Sequence, residues 1–395
     1  MRAHIENLNA ISLKQKRRII GLMSGTSLDG LDIALCGVEG SGLKTKLIVE
    51  EFITLPYDDH FKDEVRQVFS KKTIDLEKLC LLNKWVANRH AYMINETLQN
   101  WQINPESVDL VASHGQTIYH APQHLHSNTQ TGHATLQIGD GDQIATITGI
   151  ITISDFRQKH IAAGGEGAPL AAYGDYLLFA DVNRDTVLLN IGGIANFTLL
   201  PSGSSGQKMF STDCGPGNTM MDAWMQKNYP GKSFDEDAAV AKKGRVNKDL
   251  LQVLKDDSFF GLPFPKSTGP ELFGLEYLQK AMLQSQTTGL PAEDVMLTLN
   301  IFTASTITES LQKIKSKKLK VFTSGGGMHN PLVVAYLQEK NPDIIFNSTI
   351  EKNIDPDAKE AILFAILANE CVAGNASTFA NYFPNTSMGK ISFPG

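Results

Sequence analysis

The sequence predicts an α/β fold built as two domains around a ligand cleft, and three observations carry that prediction. Apolar, β-branched strands alternate with helical stretches along most of the chain. Three separate strands run straight into turns of small residues, at positions 24–30, 191–196 and 324–330. Two stretches, 18–38 and 186–200, repeat one design: an apolar strand, a tight small-residue turn and a second apolar strand. Gly21 and Gly192 stand about one domain length apart. The repeat therefore reads either as two unrelated hairpins or as a duplicated domain whose opening hairpins face a common cleft.

Composition bounds the function. The 395 residues suit two domains, and 42% hydrophobic content excludes wholesale disorder. A net charge of −6 and a pI of about 5.9 argue against nucleic acid or an anionic membrane as the main partner. An anionic ligand stays open, because backbone N–H groups in a cleft bind phosphate without net positive charge. No stretch approaches the roughly 20 apolar residues that span a bilayer, and the polar, basic first 18 residues lack a signal-peptide core. The chain is expected to be cytoplasmic. Four scattered cysteines form no CxxC pair, so reduced thiols are the expectation.

Each element follows in order. Residues 18–23, 31–38 and 46–55 read as strands, then 58–70 and 76–101 as helices, the second with apolar residues at 3–4 spacing. A short buried strand, 108–112, ends at Ser113-His114-Gly115. Residues 122–133 are a polar loop, 142–148 a helix and 150–154 a strand. A Gly-rich segment, 163–169, leads into a helix at 170–180 and marks the main boundary. Strands at 186–190, 194–200, 209–213 and 320–324 follow, with long helices at 294–315 and 356–373. The expected organisation is an extension at 1–17 that is flexible, one domain at 18–160, a second at 161–374, and residues 375–395 returning to the first.

The usual nucleotide signatures are absent: there is no GxGxxG after a strand and no complete GxxxxGK[ST]. Tyr229-Pro230-Gly231-Lys232-Ser233 resembles the end of a P-loop, but Gln226 stands where glycine is needed. The three small-residue turns take that role instead, and Gly325-Gly326-Gly327 implies a special φ or a close approach. Asp213 ends a strand, where α/β proteins place ligands, just before Cys214-Gly215-Pro216-Gly217-Asn218 opens a helix. It reads equally as a catalytic carboxylate or as a helix cap. Asp29, Asp32 and Asp155 are weaker candidates, and Asp155 with Arg157 could form a structural ion pair. His114, His120, His124, His126 and His133 invite a metal reading, but no Asp, Glu or Cys stands beside them at ligand spacing. Only His114 is kept, as a substrate contact.

Gly21-Leu22-Met23-Ser24-Gly25-Thr26-Ser27-Leu28-Asp29-Gly30-Leu31-Asp32 resembles the opening signature of the anhydro-N-acetylmuramic acid kinase family. Ser113-His114-Gly115-Gln116-Thr117, Leu136-Gln137-Ile138-Gly139-Asp140, Asp155-Phe156-Arg157, Gly167-Ala168-Pro169-Leu170 and Asn190-Ile191-Gly192-Gly193-Ile194-Ala195-Asn196 follow in family order. So do Asp213-Cys214-Gly215-Pro216-Gly217-Asn218, Met221-Asp222-Ala223-Trp224, Pro265-Lys266-Ser267-Thr268-Gly269 and the glycines at 325–327. The resemblance implies two ribonuclease-H-like domains of the actin and sugar-kinase superfamily, with ATP in the cleft between them. It implies that ATP phosphorylates O6 of 1,6-anhydro-N-acetylmuramic acid while water opens the anhydro bridge at C1. A homodimer, Mg²⁺ as cofactor and a role in peptidoglycan recycling are implied with it.

By that resemblance Gly25, Thr26, Ser27, Leu28, Asp29, Gly30, Leu31 and Asp32 form the first phosphate hairpin. Gly192, Gly193 and Asn196 form the second, and Gly325, Gly326 and Gly327 pass near the adenosine. Asp213 matches the general base, while His114, Asp155, Arg157 and Glu360 match sugar or active-site contacts. Glu166 stands where the family usually has Gln, and Thr212 where an aromatic residue is common. Two other classes fit parts of the pattern: a non-catalytic ATP-binding member of the superfamily, and an ATP-independent glycoside hydrolase with a second carboxylate.

Overall fold

The computed structural model describes residues 2–123, 126, 130–167, 170–202, 207–316, 318–348, 358–375 and 386–395. Its contacts divide the chain into two compact units, Met1–Leu178 with Asn353–Gly395, and Phe179–Lys352. The sequence placed the boundary at 160/161, but helix α6 (Ala171–Phe179) falls in the first unit up to Leu178.

In the first unit, β1 (Lys16–Ser24) and β2 (Gly30–Glu39) pair antiparallel, and β3 (Lys46–Pro56) pairs antiparallel with β2. On the other side β4 (Leu110–Ala121) runs parallel to β1, and β6 (Thr152–Ser154) parallel to β4. β12 (Lys390–Ser392) pairs antiparallel with β6. β5 (Ala134–Ile138) runs antiparallel to the far end of β4. Helix α3 (Leu76–Asn100) starts at Asp75, whose carboxylate accepts the N–H groups of Glu77 and Lys78. It turns Leu82, Val86, Ile94 and Leu98 onto the sheet core.

Helix α13 (Lys359–Ala373) also belongs here, although the sequence grouped it with the second domain. It is buried from Ala361 to Glu370 and crosses β1 so closely that a Cβ on Gly21 would stand 1.9 Å from the Ala361 carbonyl oxygen. Glycine at 21 is what lets helix and strand meet.

The second unit repeats the scheme. β7 (Asp185–Ile191), β8 (Ile194–Leu200) and β9 (Phe210–Pro216) form an antiparallel meander, with β10 (Leu319–Ser324) and β11 (Ile345–Ser348) added in parallel beyond β7. Helices α11 (Ala292–Gln312) and α12 (Pro331–Lys340) share its core, and α7 (Thr219–Asn228) packs against α11. Both sheets share one five-strand core, β3-β2-β1-β4-β6 in the first and β9-β8-β7-β10-β11 in the second, and within each core only the second strand is reversed; β5 and β12 are antiparallel additions to the first sheet. That is the ribonuclease-H-like arrangement, twice, and it decides for duplicated architecture over unrelated hairpins.

Other differences have local causes. The expected flexible extension is helix α1 (Arg2–Leu13), which buries Ile11. It is followed by buried Arg17, whose guanidinium donates to Asn369 Oδ1 at 2.6 Å and to the Gly40 carbonyl at 2.7 Å. Its sequence carries no cap and little apolar periodicity, so docking rather than propensity makes the helix. β4 runs on through the Ser113–Thr117 motif because Gly115, at φ +72°, accommodates a bulge. β5, β11 and β12, and helix α5 (Phe156–Ala162), are short and had no pattern of their own.

Candidate functional site

In the second unit the small-residue turns converge. The β7–β8 turn is crossed by the segment leading into α7: Gly217 N–H donates to Gly193 O and Asn218 N–H to Gly192 O, both at 2.8 Å. A Cβ on Gly217 would lie 2.2 Å from Gly192 O. The glycines after β10 pack on the same turn, since a Cβ on Gly327 would meet Ile191 Cγ2 at 2.2 Å. Gly325 takes φ +84° beside Asn190 Oδ1 and Ile191 O. Gly326 is different: only Asn218 Nδ2, at 3.7 Å, approaches its Cβ position. The fold needs Gly325 and Gly327, but it does not need Gly326.

Asp213 sits on β9 opposite Asn196, at a bulge in the β8–β9 ladder. Helix α7 starts six residues later, after Asn218, so Asp213 does not cap it. The carboxylate is half-buried and held through one oxygen: Oδ2 accepts Thr268 N–H at 2.7 Å and the Ser267 hydroxyl at 3.1 Å. Its own N–H donates to the Lys266 carbonyl at 2.9 Å. Asn196, Ser211, Asp213, Pro265 and Ser267 line one open cavity of about 430 Å³. A carboxylate fixed at one oxygen beside open space is suited to take a proton.

In the first unit the β1–β2 hairpin rests on a buried chain of hydrogen bonds. Ser24 Oγ donates to Gln116 Oε1 at 2.5 Å and lies 2.7 Å from Tyr57 Oη, which lies 2.8 Å from His90 Nε2. Ser24 has one proton and gives it to Gln116, so Tyr57 donates to Ser24 and His90 donates from Nε2. Gln116 Nε2 then donates to the Gly25 carbonyl at 3.2 Å. Burial, and secondly the charge of Arg89, pushes the His90 pKa down to about 4, so the ring is neutral with its one proton on Nε2.

Of the hairpin residues, Leu28 and Leu31 bury their side chains in the core, so only their backbone can meet a ligand. Gly30 serves the sheet, where a Cβ would stand 2.4 Å from Leu55 O. Gly25 is open, and Thr26, Ser27 and Asp29 are exposed.

His114 and Arg157 meet directly: Arg157 Nε donates to His114 Nε2 at 2.8 Å and Nη1 to Gly167 O at 2.8 Å. Burial, and next Arg157's charge, pushes His114 down to about 3. Burial also lowers the Arg157 pKa, opposed by the charge of Glu360, an exposed residue in the first turn of α13. Asp155 does not pair with Arg157. Its carboxylate takes Lys390 Nζ at 2.9 Å, from a left-handed backbone at φ +55°. A cavity of about 230 Å³ joins His114, Gly115, Gln137, Asp155 and Lys390. Glu166 is exposed, with Oε1 3.7 Å from His133 Nε2. His126 bonds the Gly132 carbonyl and His133 the Gln123 N–H. Among the described residues no three His, Cys, Asp or Glu gather as a metal site, and His124, Ala168 and Pro169 lie outside them.

The family model for anhydro-N-acetylmuramic acid kinase matches residues 17–382. The chain belongs to the anhydro-N-acetylmuramic acid kinase family. The kinase of that name from Pseudoalteromonas atlantica is 50% identical over 400 aligned residues covering all of both chains. Its namesake from Pseudoalteromonas translucida is 50% identical with the same coverage. The Caldanaerobacter subterraneus subsp. tengcongensis kinase is 37% identical over 98% of this chain and all of its own. The family model begins at residue 17, yet both Pseudoalteromonas relatives align over the first residues too. Residues 1–17 therefore have a counterpart in both of them.

In this member of the anhydro-N-acetylmuramic acid kinase family, sequence reading overlooked Ser267 and Thr268, although their motif was recognised. It also overlooked Ser24, Tyr57, His90 and Gln116. Ser24 and Gln116 lie inside recognised motifs, but nothing in the sequence joins them to Tyr57 and His90, far along the chain.

Proposed function

We propose that this kinase uses ATP and water to convert 1,6-anhydro-N-acetylmuramic acid to N-acetylmuramic acid 6-phosphate and ADP, with Asp213 as general base. The observation that carries the assignment is Asp213 itself: no helix cap, held through Oδ2, facing a cavity shared with Asn196. The acceptor O6 is an ether oxygen with no proton to remove, so the base serves the water. Asp213 takes a proton as the water oxygen bonds to C1, and the C1–O6 bond breaks with its electron pair left on O6. O6 then attacks the γ-phosphorus, ADP leaves, and the proton passes from Asp213 to solvent.

The backbone of residues 25–32, Gly192, Gly193 and Gly326 would approach the nucleotide. His114 and Arg157 would contact the sugar, with Asp155 and Glu360 beside them. Mg²⁺ would supply neutralisation of phosphate charge. The exposed carboxylate of Asp29 and that of Asp32, which accepts the Thr54 hydroxyl at 2.6 Å, are hard oxygen donors suited to it. Peptidoglycan recycling in the cytoplasm as a homodimer is the setting this reading fits.

The test is ADP release with and without the anhydro sugar, in water labelled with ¹⁸O. Label at C1 of the product supports the reading, and label in inorganic phosphate would make the protein an ATPase. Asp213→Asn keeps the size and the bond from Thr268 while removing basicity. Its turnover is expected to fall by about 10²–10⁴ with both substrates still bound. Wild-type turnover in that variant would end the assignment of Asp213.

A further inference from the structure

The segment around Lys266 lies against β9 as a short extra strand would. Lys266 N–H donates to Thr212 Oγ1 at 2.9 Å, and the Lys266 carbonyl accepts both Thr212 Oγ1 at 3.2 Å and Asp213 N–H at 2.9 Å. The residue is 8% exposed. Nζ donates to the Phe259 carbonyl at 2.8 Å and sits 4.1, 5.6 and 5.8 Å from the ring centres of Phe259, Phe260 and Phe264. A lysine buried among aromatic faces with its ammonium bonded to a carbonyl is an anchor, because releasing it would forfeit both contacts. The next two residues are the ones that reach Asp213.

We propose that Ser267 and Thr268 are positioning residues for the reaction: they occupy Asp213 Oδ2 so that Oδ1 is the oxygen that meets the water, and buried Lys266 fixes the segment that carries them. This rests on Asp213 being the base. Two donors on one oxygen restrain the carboxylate's rotation, which a single donor would leave free. A misplaced base loses rate without losing ligands, because neither ATP nor the sugar is bound by Oδ2.

The experiment compares Ser267→Ala, Ser267→Thr and Asp213→Asn with wild type, reading kcat, the dissociation constants of ATP and sugar, and thermal melting. Ser267 is exposed, so the alanine variant should fold. One of two hydrogen bonds to a charged group is removed, so kcat is expected to fall about tenfold. Both dissociation constants and the melting temperature should stay at wild-type values, and Ser267→Thr should restore kcat. A Ser267→Ala enzyme with kcat at the wild-type level, or a loss confined to substrate affinity, overturns the positioning role. If Asp213→Asn is inactive while Ser267→Ala turns over normally, the positioning role alone falls. If Asp213→Asn itself turns over normally, the general-base reading beneath it falls.

Discussion

Gly326→Ala is the sharpest perturbation available, because the three consecutive glycines differ in what surrounds them. A methyl group at 326 meets only Asn218 Nδ2, at 3.7 Å, and Gly326 needs no positive φ. The substitution should leave the fold intact, and the reduced freedom of the unfolded chain adds about 0.4–1 kcal/mol of stability. At Gly327 the same methyl lies 2.2 Å from Ile191 Cγ2 and 3.0 Å from Ile191 O, so neighbours must move. Overpacking of that kind costs about 1–3 kcal/mol, which lowers melting by several degrees at about 2–4 °C per kcal/mol. If the nucleotide approaches this turn, the methyl at 326 fills the space it needs. Losing close contact over one face of the ligand is worth about 1.4–2.8 kcal/mol, a ten- to hundredfold rise in the ATP dissociation constant. Calorimetric titration with ATP and differential scanning fluorimetry separate the two effects. Gly326→Ala should melt about 1–4 °C above wild type and bind ATP weakly, whereas Gly327→Ala should melt early. A Gly326→Ala protein that binds ATP with wild-type affinity would refute nucleotide approach at this turn.

Two further outcomes concern stability. His90 and His114 are held neutral, with pKa values pushed from 6.5 to about 4 and about 3, while the unfolded chain takes up both protons near 6.5. Stability is therefore full above pH 6.5 and falls as pH drops, by about 1.4 kcal/mol per unit for each ring, until the folded values are reached. Urea midpoints from pH 7.5 to 5 should fall accordingly, and His90→Gln should fall less steeply; equal slopes would contradict the buried neutral ring. Gly21→Ala places a Cβ 1.9 Å from a backbone oxygen of α13, which no rotamer change relieves, so the first unit should lose more than about 3 kcal/mol. Melting at the wild-type temperature would mean that helix and strand do not meet there.

The sequence made most of the two sheets legible because their strands are continuous apolar runs. The strands read at 18–23, 31–38, 186–190, 194–200 and 320–324 all lie within observed strands, the ends shifting by a residue or two. What stayed hidden was whatever depends on docking. Helix α1 forms where Arg17 and Ile11 find partners, not where its composition favours a helix. α13 reads as a strongly apolar helix, but no sequence feature states which sheet it covers. Asp213 was legible as a residue of interest while its role was evenly balanced. Five residues of strand and turn between it and α7 removed the capping alternative.

The two hairpins explain why one site is easier to read than the other, although both units share one topology. In the second unit the turn is located by backbone crossing backbone, Gly217 and Asn218 over Gly192 and Gly193. At Gly217 that closeness admits no Cβ, and Gly325 and Gly327 pack on the same turn, so the sequence spells much of the support with glycines and a reader sees a motif. In the first unit the turn is located by side chains, His90 through Tyr57 and Ser24 to Gln116 and the Gly25 carbonyl. A buried polar chain of that kind fixes one geometry only while every member is satisfied. Its members come from β1, from just beyond β3, from α3 and from β4, and no spacing rule connects them. Glycine-built support is written locally and polar support is written across the fold, so the second becomes visible only once the strands are in place.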